Sequence, residues 1–173
     1  MTSVYRSPVD WVVLAVTVPV TALLLIIAAV CFARLAWAGS LEQRLVTSLA
    51  AVVCLAIIAV AWGFTPRGYR VEDRSVVIER PVGPVRLSLD GVTDVHAERS
   101  PLRGTWRLAA NGGLFGFWGK FRNSALGKTF TVYATRLSEG VVLTAADRTV
   151  VISPEHPEQF VQDVKERLAR GAG

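Results

Sequence analysis

The sequence predicts two structural classes in one chain: a hairpin of two membrane-spanning helices, followed by an all-β domain that ends in one α-helix. Two long uncharged apolar runs predict the hairpin, and short alternating segments between turn residues predict the β domain. The chain has 173 residues, of which 51% are hydrophobic, and a formal net charge of +5. This length accommodates one ordinary domain beside a small membrane segment. We place the boundary between residues 66 and 67.

The membrane hairpin rests on two apolar runs, residues 11–32 and 45–64. A helix of about 20 residues crosses a hydrocarbon core about 30 Å thick. The connecting segment is too short for a domain, so the spans are antiparallel. Trp11, Trp37 and Trp62 lie at the ends of the runs, where tryptophan is typical of a membrane-interface anchor.

Cations near the spans predict the orientation of the hairpin. Arginines flank its two outer ends and are fewer in the connecting loop: Arg6, Arg67, Arg70, Arg74 and Arg80 against Arg34 and Arg44. This bias places both termini in the cytoplasm, in a two-span protein of the cell membrane. One alternative is a cleaved secretory signal, because residues 36–38 (AWA) resemble a small-x-small cleavage site. The length of the first run and Arg34 just before that site argue against cleavage.

Cysteines and histidines show no catalytic or metal-binding pattern. Cys31 and Cys54 lie in the apolar runs, where a free thiol behaves as a small hydrophobic residue. His96 and His156 lack the spacing of metal ligands, and no nucleophile motif accompanies them. The sequence therefore predicts no enzyme, no metal and no cofactor. The pI of 9.8 fits membrane orientation and lipid attraction, and no motif indicates nucleic-acid binding.

The second part of the chain consists of short segments between turn signals. Alternating or β-branched residues in such segments are typical of an antiparallel all-β domain, and seven or eight strands suffice for a small barrel or sandwich. The segments are 69–72, 75–80, 85–89, 92–98, 105–110, 130–137, 141–145 and 149–152. Beyond Ser153 and Pro154, apolar residues at helical spacing predict one amphipathic helix that closes the domain.

A domain of about seven antiparallel strands capped by one C-terminal helix resembles the pleckstrin-homology (PH) superfold. The stretch GLFGFWGKFRNSALGKTFTVYAT, followed by VVLTAADRTVVISPEHPEQFVQDV, is similar to the bacterial PH-domain proteins, in which a two-span membrane hairpin often precedes the domain. The resemblance covers nearly the whole chain. It implies an all-β PH-like barrel over residues 67–173 that serves in binding or assembly, after a hairpin segment over residues 1–66, and it brings no catalytic residue.

Residues 112–127, GGLFGFWGKFRNSALG, lie in an acid-free tract between Glu98 and Glu139. They lack the glycine spacing of a nucleotide-binding loop. On a membrane-tethered domain, cations of this tract would attract anionic lipid headgroups, and its aromatic rings would enter the interface. The candidate lipid- or partner-binding residues are Arg103, Arg107, Phe115, Phe117, Trp118, Lys120, Phe121, Arg122 and Lys128.

An architectural interpretation of the same tract competes with lipid binding. Its glycines would allow positive φ in turns, its aromatic residues would fill one end of the barrel, and its cations would protect strand edges. For the whole chain we predict a membrane-anchored, non-catalytic binding or scaffolding module. The alternative is an accessory subunit of a larger membrane enzyme or transporter, docking through the hairpin. The predicted partners are the bilayer, anionic headgroups and a protein not identifiable from the residues; a homo-oligomer is also compatible.

Overall fold

The computed structural model describes residues 3–123 and 129–171. In chain order, the helices and strands of these residues are β1 (Ser3–Arg6), α1 (Trp11–Leu35), α2 (Leu41–Gly63), β2 (Gly68–Val71), β3 (Ser75–Glu79), β4 (Val85–Ser88), β5 (Val92–Arg99), β6 (Thr105–Gly112), β7 (Phe117–Asn123), β8 (Thr129–Ala134), β9 (Glu139–Ala145), β10 (Thr149–Ile152) and α3 (Pro157–Gly171).

The two N-terminal helices form the expected hairpin. Both are long and apolar enough to cross a membrane, and only 17% of the most apolar window of each is buried in the protein. Such exposure differs from that of a core helix in a soluble protein, because a core helix buries its apolar side chains. The helix α2 starts after Ser40, whose hydroxyl accepts a hydrogen bond from the Gln43 amide at 3.2 Å.

The β domain consists of two sheets that pack together without closing into one barrel. Strands β1, β2, β3 and β4 form the first sheet in that order. The second sheet has the order β5, β9, β10, β8, β7, β6, and its pairs are antiparallel except for the parallel pair of β10 and β8. Side chains from both sheets and from α3 share one core, which includes Tyr69, Ile78, Val141, Ile152 and Phe160.

Two strands arise where no strand was expected. The strand β1 precedes α1 and pairs antiparallel with β2, with Tyr5 opposite Tyr69. The strand β7 lies inside the glycine-aromatic tract, where Gly119 has a φ of +115°. Four residues are too short for a periodic signal, and glycine is depleted in ordinary strands. Both strands therefore depend on the neighbouring strands with which they pair.

The helices leave the β domain at one end, here called the helix-proximal end. The amide of Asp10 donates to the carbonyl oxygen of Thr135 at 3.0 Å, and the Thr135 hydroxyl donates to the carbonyl oxygen of Pro8 at 2.6 Å. Thr135 directly follows β8, so β8 ends at the helices. Because β10 runs parallel to β8, the residue before β10, Arg148, lies at the opposite, distal end of the domain.

Candidate functional site

The turn of the β6–β7 hairpin, residues 113–116, docks on helix α1. The Thr17 hydroxyl donates to the Gly113 carbonyl oxygen at 3.2 Å and accepts from the Phe115 amide at 2.8 Å. A Cβ atom at Gly113 would lie 3.3 Å from Cγ1 of Val16, so glycine permits this approach. Phe115 has a φ of +61°, a conformation that persists where surrounding contacts fix it. This turn is a joint between the β domain and the first helix.

The β6–β7 hairpin also contacts the end of the second helix, through Trp118 of β7. The ring of Trp118 stacks on the ring of Phe64, which directly follows α2, with a centroid distance of 5.0 Å and an interplanar angle of 26°. The indole Nε1 is enclosed and, within the described chain, has no hydrogen-bond partner. The hairpin therefore packs on both helices.

The inner face of β7 belongs to a core. Phe117 and Phe121 are 9% and 4% exposed, and their cluster includes Phe130, Val132 and, from helix α1, Val13. Side chains two apart in a strand share a face, which places both rings inward. Their burial contradicts the expectation that these two rings enter the interface. They fit the architectural interpretation.

The candidate cations that the structure describes are exposed but lie at different distances from the helices. Lys120 is opposite Thr131 in the middle of β8, whereas Arg122 is opposite Thr129 at the distal start of β8. Arg103 and Arg107 are also exposed. Lys128 lies outside the described residues. Among the described candidates, the buried Phe117 and Phe121 and the exposed Arg122 at the distal end do not share one patch.

Arg67 and Arg80 lie at the helix-proximal end. The sequence assigns them to the orientation of the membrane helices and does not identify them as binding residues. The guanidinium carbon of Arg67 lies 4.8 Å from the ring centroid of Trp62, and that of Arg80 lies 5.2 Å from the ring centroid of Phe64. Within the described residues, neither arginine forms a salt bridge with a carboxylate. The signal available in the sequence, a cation within a few positions of an aromatic residue that ends an apolar run, marks Arg67 but not Arg80, which lies 16 positions beyond Phe64.

The tryptophans at the ends of the runs are exposed in the structure. Trp11 is the first residue of α1, Trp37 lies between the helices, and Trp62 is the penultimate residue of α2. Their exposed fractions are 74%, 89% and 47%. Exposure of this kind leaves the rings available to a bilayer interface, and their role as anchors stays a prediction.

Polar contacts fix β1 against the rest of the domain. The Tyr5 hydroxyl donates to Oδ2 of Asp163 in α3 at 2.5 Å. This hydrogen bond lowers the pKa of Asp163, because it stabilises the carboxylate. Desolvation, together with the same hydrogen bond, raises the pKa of Tyr5. The N-terminal segment is thus held by side-chain contacts as well as by strand pairing.

The family model of the bacterial PH domain matches residues 67–168, which include strands β2 to β10 and most of α3. The match covers more than half of the chain. Comparisons with curated proteins and with solved structures give no match. Within the described residues, no group of three or more His, Cys, Asp or Glu side chains is placed to hold a metal ion. The chain belongs to the bacterial PH domain family.

Proposed function

We propose that this protein is a membrane-anchored, non-catalytic binding or scaffolding module at the cytoplasmic face of a bacterial membrane, and that its helix-proximal end contacts anionic lipid. The observation that carries this proposal is the placement of Arg67 and Arg80 against Trp62 and Phe64, where α2 leaves the apolar hairpin. A guanidinium over an aromatic ring still presents N–H donors at its edge. Those donors suit the phosphate oxygens of lipid headgroups.

The charge and position of these arginines support headgroup contact. A basic residue near an anionic membrane surface contributes about 1 kcal/mol to binding. Arg67 is four residues beyond the last residue of α2, Gly63. If α2 spans the bilayer, this distance leaves Arg67 in the headgroup region. The exposed Lys120 lies in β7, farther from the helices, and therefore adds a weaker attraction to anionic headgroups.

The strand β1 supports a topology with both outer ends of the hairpin on one side. Ser3–Arg6 precede α1 and pair with Gly68–Val71, which follow α2. Strands cannot pair across a hydrocarbon core, because their backbone groups would lack partners there. The contacts of Val13 and Thr17 with the β domain further support an uncleaved first helix. The arginine distribution favours the cytoplasmic side.

The exposed edge of the second sheet supports binding of a protein partner in addition to lipid. On the edge strand β6, Trp106 is 70% exposed and Leu108 is 57% exposed. Exposed apolar side chains on an edge strand are typical of interaction surfaces. Crosslinking in membranes from the source cell should yield a heteromeric product that Trp106→Ala and Leu108→Ala together reduce. An unchanged product would remove this edge from the proposal.

The headgroup contact is tested with the full chain in lipid nanodiscs of mixed neutral and anionic phospholipid. The measurement is the anionic fraction of the lipids that remain bound as detergent is added. We expect enrichment of anionic lipid, which weakens as salt increases. Arg67→Glu with Arg80→Glu should abolish it.

A matched charge control is available at the distal end. Arg74 and Arg148 are both exposed there, and Arg148 donates to the carbonyl oxygen of Ser88. Arg74→Glu with Arg148→Glu changes the net charge by the same amount as the helix-proximal pair, and it should leave the enrichment intact. Equal loss in both double variants would reduce the effect to net charge and overturn the proposed site.

A further inference from the structure

The side chain of Arg107 runs along strand β6 towards the helix-proximal end. A Cβ atom built at Gly112 would lie 2.5 Å from Nη1 of Arg107 and 2.9 Å from its Cζ, so the guanidinium lies directly over Gly112. Gly112 is opposite Phe117 and directly precedes Gly113, which contacts α1. Although the backbone of Arg107 is opposite Phe121, nearer the distal end, its charge therefore lies at the helix-proximal end.

The contacts between the hairpin and α1 define the level of this guanidinium along the helix. Phe117 packs in the same cluster as Val13, and a Cβ atom at Gly113 would lie 3.3 Å from Cγ1 of Val16. Val13 and Val16 follow Trp11, the first residue of α1, by about 3 and 8 Å along the helix axis. If α1 crosses the bilayer from Trp11 onwards, the guanidinium lies near the boundary between headgroups and hydrocarbon.

Arg107 is exposed and has room beside it for an anion. Arg107 and Gly112 line a pocket of about 200 Å³, in which Arg107 is the only charged residue. The other lining residues are Leu102, Thr105, Phe117, Phe121 and Leu137. Among the described residues, no carboxylate forms a salt bridge with Arg107. Oδ2 of Asp10, at the same end, accepts from the Leu137 amide at 3.4 Å. The charge of Arg107 is therefore available to an anion from outside the chain.

We propose that Arg107 binds the phosphate of a bilayer phospholipid on the α1 side of the helix-proximal end, and that the absence of a side chain at Gly112 permits this position of the guanidinium. A guanidinium donates paired N–H bonds that match phosphate oxygens. An acidic segment of a partner protein fits less well, because it would have to enter the headgroup layer. The inference rests on the proposed location of the helices in the bilayer. It does not depend on a preference for anionic lipid, because neutral phosphatidylcholine carries the same phosphate.

The test detects contact between arginine guanidinium nitrogens and lipid phosphorus by solid-state NMR. The full chain, with ¹⁵N-labelled arginine side chains, is reconstituted in phosphatidylcholine bilayers in a phosphate-free buffer. We expect lipid ³¹P to dephase part of the guanidinium signal. Arg107→Gln should remove the share of one arginine from this dephased signal, whereas Arg122→Gln should not. Both arginines are exposed in the same hairpin, and Arg122 is opposite Thr129 at its distal end.

A second variant, Gly112→Ala, moves the charge without removing it. The atoms nearest to the added Cβ belong to the flexible side chain of Arg107, and the φ of Gly112 is not positive, so alanine fits the backbone. We expect the same loss of dephased signal as in Arg107→Gln, no further loss when both changes are combined, and an unchanged unfolding midpoint in detergent. A wild-type dephased signal in either single variant would overturn the inference.

Two comparisons identify the source of the phosphate and separate this inference from the proposed headgroup contact. An excess of inorganic phosphate should leave the lipid dephasing unchanged, and its loss would assign the site to free phosphate and overturn the assignment to lipid. Loss of dephased signal in Arg107→Gln but not in Arg67→Glu with Arg80→Glu would support Arg107 and refute the headgroup contact of that pair. Loss in the double variant alone would have the opposite meaning.

Discussion

The two halves of the β6–β7 hairpin share an acid-free composition but differ in their environment. In the helix-proximal half, Phe117 is buried, Trp118 stacks on Phe64, and the turn bonds to Thr17. In the distal half, Trp106 is largely exposed and Arg122 faces solvent. The proximal half therefore connects the domain to the membrane helices, whereas the distal half exposes Trp106 and Arg122 to solvent and buries only the inward-facing Phe121.

This difference shows that aromatic and basic composition alone does not identify a binding surface. An aromatic residue stabilises the fold when its ring is buried and is available to a partner when its ring is exposed. The distance of a residue from the helices, and the face of the strand on which it lies, decide between these roles.

The largest expected effect separates the buried and exposed aromatic residues. Phe117→Ala should lower the free energy of unfolding by about 3–5 kcal/mol, because it leaves a cavity in the core. Trp106→Ala should change it by less than about 0.5 kcal/mol, as is usual for exposed positions. Unfolding of the full chain in detergent measures both. Similar losses for the two variants would erase the distinction between the halves.

A smaller effect is expected where the two halves meet, at Gly119. Gly119 has a φ of +115°, and a Cβ atom there would lie 2.4 Å from the Ala109 carbonyl oxygen. Gly119→Ala should cost about 2–4 kcal/mol through backbone strain and steric overlap. Gly104 also has a positive φ, but its Cβ position has open space. Gly104→Ala should cost only about 1–2 kcal/mol, so the difference between the unfolding midpoints measures the overlap.

The two hydrogen bonds between the tip of the β6–β7 hairpin and Thr17 of α1 should contribute still less to the free energy of unfolding. Thr17→Val leaves the Phe115 amide and the Gly113 carbonyl oxygen without the hydroxyl that bonds both. We expect a loss of about 1–3 kcal/mol and faster amide hydrogen exchange in residues 113–118. Thr47→Val is the control, because the Thr47 hydroxyl donates only within α2, to the Gln43 carbonyl oxygen. If amide exchange in residues 113–118 is unchanged in Thr17→Val, the Thr17 hydroxyl does not hold this turn on α1.

The smallest expected effect is a dependence on pH, which should affect the attachment of β1 but not that of the β6–β7 hairpin. The tract that forms the hairpin contains no carboxylate, whereas β1 is held through Asp163, whose pKa the Tyr5 hydrogen bond lowers. A lowered pKa adds stability above the unfolded value, about 3.9 for Asp. That stability is lost as pH falls from this value through the folded pKa.

Tyr5→Phe tests this titration. At neutral pH the variant should release β1 more readily than wild type, as measured by amide exchange of residues 3–6. The difference should shrink as pH falls below about 4. Asp90, whose pKa Arg74 lowers, is present in both proteins and cancels in the comparison. A difference that stays constant down to low pH would exclude Asp163 as the titrating group.

The sequence by itself determined the features that arise from local patterns. The apolar runs of α1 and α2 predict helices long and apolar enough to cross a membrane, because hydrophobicity over about 20 residues is a property of composition. Most strands and the helix α3 follow from alternation and helical spacing. The PH resemblance also rests on consecutive residues, and the family match over residues 67–168 confirmed it.

Only the tertiary structure decided the role of individual residues in the glycine-aromatic tract. Strand alternation alone does not reveal which face of β7 is buried, and positive φ at Gly119 obscures the strand itself. The burial of Phe117 depends on partners far away in the sequence, among them Val13 of α1. The same holds for β1, which exists as a strand because β2 pairs with it. Contacts between distant segments form only when the chain is folded, so local patterns do not encode them.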